Sequence, residues 1–220
     1  MKSSTTARII ILSGLLATVT SVQANLITNG SFESGAFVNQ GSDTMSLGVG
    51  STVITGWTVV TDTTAWIGPT NTWGLTASDS GYFLDLTNYE PGGPYAGMSQ
   101  SIATIAGATY SLSFDLGSSA QWGGYDSINV SAAGSSQAFS SLTKSNNVWT
   151  QETMQFVASS VNTTVLLQGA SGYNYIGLDN VDVECVSNCS GGGVNVPEPG
   201  TFALLFLGLG GLAISRRRKQ

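Results

Sequence analysis

Apolar and polar residues alternate in short stretches along the middle of the chain, and clusters of Gly, Ser and Asn separate those stretches. Tyr110-Ser-Leu112-Ser-Phe114-Asp-Leu116 alternates without a break, which puts every second side chain on one face of a strand. Ile128-Asn-Val130 and Met154-Gln-Phe156 follow the same rule, whereas Tyr82–Leu86 and Val165–Leu167 are more continuously apolar. A last strand is predicted from Tyr175 to Glu184. Glu90-Pro-Gly-Gly-Pro94 and Gln121-Trp-Gly-Gly124 carry turn chemistry, and residues 35–52 read as a long Ser/Gly-rich loop. No stretch sustains the i, i+3, i+4, i+7 spacing of an amphipathic helix, and no internal repeat is evident. The pattern predicts an all-β fold, an antiparallel β-sandwich of two sheets packed face to face.

The two ends break this pattern. Lys2 and Arg8 precede a mostly apolar run from Ile9 to Val19, and Val22-Gln23-Ala24 supplies small residues for a peptidase. This reads as a signal peptide over residues 1–24, cut between Ala24 and Asn25, with an uncleaved anchor as the alternative. At the other end, Pro197-Glu198-Pro199 is followed by an apolar run over 200–215 and by Arg216, Arg217, Arg218 and Lys219. That run is shorter than the ~20 residues of an ordinary membrane span. The basic cluster keeps its own side cytoplasmic and the body of the chain outside.

The tail closely resembles the PEP-CTERM sorting signal of Gram-negative bacteria, here residues 197–219. The resemblance implies recognition and cleavage by an exosortase near Pro197-Glu198-Pro199. It also implies export across the inner membrane, transient anchoring there, and a link to exopolysaccharide and biofilm production at the cell surface. A plain C-terminal anchor is the alternative.

Charge sharpens the picture. Six of the seven Lys and Arg lie in the two ends; between residues 25 and 196, Lys144 alone faces twelve carboxylates. Such a segment repels phosphate backbones, so nucleic acid is excluded as a partner. With no histidine in the chain, every Ser-His or Cys-His nucleophile and every histidine-ligated metal site is excluded too.

Within the predicted domain, residues 25–186, several segments resemble the galactose-binding-like jelly rolls, which include carbohydrate-binding modules. They are Asn25-Leu-Ile-Thr-Asn29-Gly-Ser-Phe32-Glu33, Ser99-Gln-Ser-Ile102, Gly107-Ala-Thr-Tyr110 and Ile176-Gly-Leu-Asp179-Asn180-Val181, in that order. Asp179 shares parity with Val181 and Val183, so its side chain is expected to point inward, where a metal or backbone amides must compensate its charge. The resemblance implies a structural Ca²⁺ held by Glu33 and Asp179, with a carbonyl such as that of Gly30. The alternative is a turn-capping Asp179 and a solvated Glu33.

Sugar rings stack their C–H faces on exposed aromatic side chains. Trp122 and Tyr125 in a Gly-rich turn, and Trp66 and Trp73 in the loop region before residue 80, are candidate platforms for an extracellular polysaccharide; burial in the core is the alternative for each. Cys185 and Cys189 are expected to form a disulfide in an exported chain, ahead of a Gly/Ser linker over residues 187–196. No catalytic motif accompanies the carboxylates, so the chain is read as a non-enzymatic adhesin or glycan binder. A glycoside-active enzyme, a purely structural matrix protein and an ice-binding protein are the other classes considered.

Overall fold

The computed structural model describes residues 25–119, 125–140, 148–173 and 175–189. The signal peptide with Ala24, Trp122, Lys144, Pro197, Glu198, Pro199, the 200–215 membrane segment and Arg216–Arg218 lie outside the described residues. Eleven strands follow in chain order: β1 Thr44–Leu47, β2 Thr58–Val60, β3 Thr64–Ile67, β4 Phe83–Asp85, β5 Gly97–Ala103, β6 Thr109–Gly117, β7 Ser127–Ala132, β8 Ser135–Ser140, β9 Trp149–Val157, β10 Asn162–Ser171 and β11 Gly177–Ser187. Among the described residues no helix is long and apolar enough to cross a membrane.

The strands form two antiparallel sheets, a six-stranded one ordered β1-β3-β4-β11-β6-β9 and a five-stranded one ordered β2-β5-β10-β7-β8. The architecture is an all-β jelly-roll sandwich. Alternation explains how it closes: Tyr110, Leu112, Phe114 and Leu116 of β6 meet Val165 and Leu167 of β10, with Ile128 and Val130 of β7, in one core. Each large side chain buried there contributes on the order of 1.5–3 kcal/mol.

The first residues of the domain tie the sheets together. Leu26 N–H donates to the Val183 carbonyl (2.8 Å), and Val181 N–H donates to the Gly30 carbonyl (3.0 Å). On the other sheet, Thr28 N–H donates to Gln100 Oε1 (2.7 Å). Asn25 Oδ1 accepts the Ile27 and Val183 amides (2.7 and 3.2 Å). Gly30 is required because a Cβ there would collide with the Val181 carbonyl oxygen.

The sandwich has two ends. Thr109 of β6, Val157 of β9 and Ser187 of β11 lie together at the exit end, where the chain leaves through the Cys185–Cys189 disulfide. Gly117, Trp149 and Gly177 mark the far end. The segments 61–63, 86–96, 172–173 and 175–176 gather at that far end, because Val60 pairs with Gly97 and Gly177 with Asp85.

Two features depart from the pattern reading. The loop expected over 35–52 contains β1, whose Thr44-Met-Ser-Leu47 alternates but is too short to stand out from the Ser/Gly-rich residues around it. A register shift in β11 between Asp179 and Asp182, with Asn180 at φ 49°, also breaks the parity of that strand. Leu178 and Val181 both enter the core, and Asp179 turns to the opposite face of the six-stranded sheet.

Candidate functional site

On that outer face a second apolar cluster forms from Ala65, Ile67, Phe83 and Tyr175, with Leu75 inserted from the segment between β3 and β4. Residues 68–82 cross the sheet as a strap, and carboxylates fasten it at three points. Asp43 accepts the Thr70 N–H and hydroxyl (2.7 and 2.8 Å). Asp179 Oδ2 accepts Ser78 N–H, Ser78 Oγ–H and Asp79 N–H (2.8, 3.1 and 3.0 Å), while its Oδ1 accepts Asn180 N–H (2.7 Å). Glu33 Oε1 accepts Gly81 N–H and Tyr82 N–H (2.8 and 2.6 Å). No Lys or Arg falls among the described residues, so backbone amides supply the compensation a base would otherwise give.

The structure therefore gathers Gly30, Glu33 and Asp179 around one strap. In this arrangement most of their oxygens already accept hydrogen bonds from the chain. Both Asp179 oxygens face hydrogen-bond donors, the Gly30 carbonyl already accepts Val181 N–H, and no group of three or more Asp, Glu, Cys or His side chains is set to hold a metal among the described residues. Ca²⁺ wants six to eight oxygens turned toward it, and here both Asp179 oxygens, Glu33 Oε1 and the Gly30 carbonyl accept N–H groups.

Burial governs the acids beneath the strap. Desolvation pushes the Asp179 carboxyl up to about 7, against the lowering effect of the Asp79, Asn180 and Ser78 donors. Asp85, wholly buried on the same face, is pushed up to about 6 by desolvation, against donors from Ile176, Thr87 and Tyr89.

The candidate aromatics separate. Trp66 is a core residue, 1% exposed, because all four residues of β3 are buried. Its indole N–H donates to the Phe32 carbonyl (3.0 Å), and its ring packs on Phe37 and Tyr82. It presents no platform. Trp73 belongs to the strap and lies against Tyr89 with ring centroids 5.5 Å apart, half-buried by that packing. Tyr125 is 66% exposed at the far end.

A second exposed ring joins it there. Tyr125 and Tyr173 each lie two residues beyond the paired Ser127 and Ser171, and Tyr173 is 62% exposed. Tyr173 also forms an isolated bridge with Pro91. Pro91 lines a cavity of about 440 Å³ together with Asp62, Thr63, Thr87, Asn88, Glu90 and residues 92–94, which include the cis Gly93–Pro94 peptide. Asp62 Oδ1 accepts Thr63 N–H (2.7 Å), and the Thr87 hydroxyl is committed to Asp85. The sequence shows both halves of this cavity, Thr61-Asp-Thr63 and Glu90-Pro-Gly-Gly-Pro94, but nothing in either segment says that they meet. The pairing of β2 with β5 brings them together.

An all-β jelly roll with a carboxylate-fastened strap, preceding a C-terminal sorting tail, defines the class of protein. The chain belongs to the family described as "Protein of unknown function (DUF642)", whose model matches residues 25–175. Residues 195–219 match the PEP-CTERM protein-sorting motif, which marks an exported protein carrying a C-terminal sorting signal. No curated relative matches the sequence. Among solved structures it is similar to a chain described as "CBM4 structure and function", 18% identical, covering 73% of this chain and 99% of that one, TM-score 0.40. It is also similar to TmCBM61 in complex with β-1,4-galactotriose, 14% identical, covering 74% and 99%, TM-score 0.43. A third is a family 35 carbohydrate binding module from Clostridium thermocellum, 12% identical, covering 63% and 97%, TM-score 0.41.

Proposed function

We propose that this is a non-catalytic glycan-binding protein, processed by an exosortase and delivered to the cell surface or biofilm matrix, and that it binds sugar at the far end of the sandwich. The carrying observation is the placement of exposed Tyr173 against Pro91, at the rim of a cavity whose other walls are Asp62, Thr63, Asn88 and Glu90. A sugar offers an apolar C–H face and a rim of hydroxyls. The site offers the matching parts: an aromatic ring for the face, carboxylates and an amide for the hydroxyls. Tyr125 at the same end extends the aromatic surface.

The arrangement also suits a tethered protein. The disulfide lies at the exit end, and the cavity lies at the opposite end of the sandwich. No cation is needed in this reading, since the amides of the strap satisfy Asp179 and Glu33. Native gels cast with individual extracellular polysaccharides test it. Retardation of the processed protein by at least one polysaccharide is expected, without release of reducing sugar. Equal migration in every gel would remove glycan binding, and sugar release would make the protein an enzyme.

A further inference from the structure

The charges are divided unequally between the two sheets. The strands of the six-stranded sheet carry Asp85, Asp115, Glu152, Asp179, Asp182 and Glu184, whereas β2, β5, β7, β8 and β10 carry no charged residue. The outward face of the five-stranded sheet is built mostly from hydroxyl and amide side chains, Ser99, Ser101, Asn129, Ser131 and Thr164, with Leu166 among them. Its terminal strand, β8, is paired to β7 over all six residues without a bulge, through a two-residue hairpin at Ala133-Gly134, both at positive φ. Ser135, Ser136, Gln137, Ala138 and Ser140 are exposed.

Natural edge strands are blocked by charge, proline, bulges or shortness. The other edges here follow that rule: β1 has four residues, β2 has three, and β9 carries Glu152. β8 has none of these devices. Among the described residues no backbone hydrogen bond reaches its outer side.

We infer that β8 is a self-pairing edge, through which two copies of this chain join their five-stranded sheets into one continuous antiparallel sheet. Charge favours a second copy at this edge over any other approach between copies. The described residues carry twelve carboxylates and no base, so two molecules repel when the acidic six-stranded sheets approach, and approach through the uncharged five-stranded sheet avoids that repulsion. Register favours it too. A two-fold axis at Ala138 sets Ser136 opposite Ser140 on the outward side and Gln137 opposite Phe139 on the inward side, so each copy keeps its apolar face on the core side.

Sedimentation of the processed protein tests this between about 10 and about 200 µM, at about 0.05 and about 0.5 M salt. A dimer is expected that tightens as salt screens the acidic faces. Ala138→Glu places two carboxylates at the axis without touching the core and is expected to weaken association at least about tenfold. Gln155→Glu on β9 is the control and should leave association unchanged. The Ser136→Lys/Ser140→Glu double variant, which sets opposite charges across the axis, should associate more tightly than the parent. A monomer under all conditions, or a dimer indifferent to Ala138→Glu, overturns the inference. So does a monomer whose retention by a polysaccharide falls in Ala138→Glu, because the uncharged sheet would then be a sugar surface.

Discussion

Ser78 donates its backbone N–H to Asp179 at 2.8 Å and its hydroxyl to the same oxygen at 3.1 Å, joining positions 101 residues apart in the chain. The contact fixes the strap to the six-stranded sheet. It also gives a carboxylate with no base among the described residues a set of neutral partners. Replacing Asp179 by Ala leaves the Ser78, Asp79 and Asn180 amides without their acceptor. These donors are only part-buried and water can reach them, so each lost acceptor costs about 1 kcal/mol or less and a loss of about 2 kcal/mol is expected in urea unfolding. Unchanged stability would show that Leu75, Asp43 and Glu33 hold the strap without Asp179.

Gly30 sits too close to Val181 for any side chain. Gly30→Ala has to push a backbone carbonyl of β11 aside, breaking the contact between the first segment and the last strand. A drop of at least about 3 kcal/mol in unfolding free energy is expected. A neutral result would mean that the first segment is not seated on β11.

Stability should depend on pH through Asp85 and Asp179. Their folded values, about 6 and about 7, lie above the ordinary 3.8. An acid raised on folding binds its proton more tightly in the native state, so its stabilisation is complete below about pH 4 and is lost as pH rises through about 6 to 7. For Asp85, a rise of about two units corresponds to about 3 kcal/mol. The melting temperature should therefore climb by roughly 5–10 °C between pH 8 and pH 5. Asp85→Ala, although less stable, should flatten that climb. A melting temperature that falls on acidification would contradict the burial argument.

Metal removal gives an independent reading of the same carboxylates. Because amides already occupy Asp179 and Glu33, EDTA should leave the melting temperature unchanged and added Ca²⁺ should not raise it. A fall on chelation that Ca²⁺ reverses would show that the strap rearranges around a cation.

Much of the sandwich is legible in the sequence because strand alternation is local. Tyr110–Leu116, Ile128–Val130, Met154–Phe156 and Val165–Leu167 all lie inside strands of the structure. Asp179 shows where local reasoning stops. Its parity with Val181 points inward, but Asn180 adopts φ 49° and reverses the face, and no residue type announces that bulge. Trp66 misleads differently: it lies in a short stretch bounded by Thr, Asp, Gly and Pro that reads as loop, yet β3 is covered on both sides by the first segment and the strap. The far-end cavity was half visible. Its two walls are separated in sequence, and their meeting depends on a strand pairing that neither segment encodes alone.

The sugar site is tested most directly by calorimetric titration of the retarding polysaccharide into the processed protein and its Tyr173→Ala variant. Tyr173 is largely exposed, so its loss should leave the fold intact while removing the stacking ring. Aromatic contacts of this kind are worth ~1–2 kcal/mol, so affinity should fall about tenfold or more, with a further fall on Glu90→Gln. Full affinity in both variants would contradict a binding site at the far end of the sandwich.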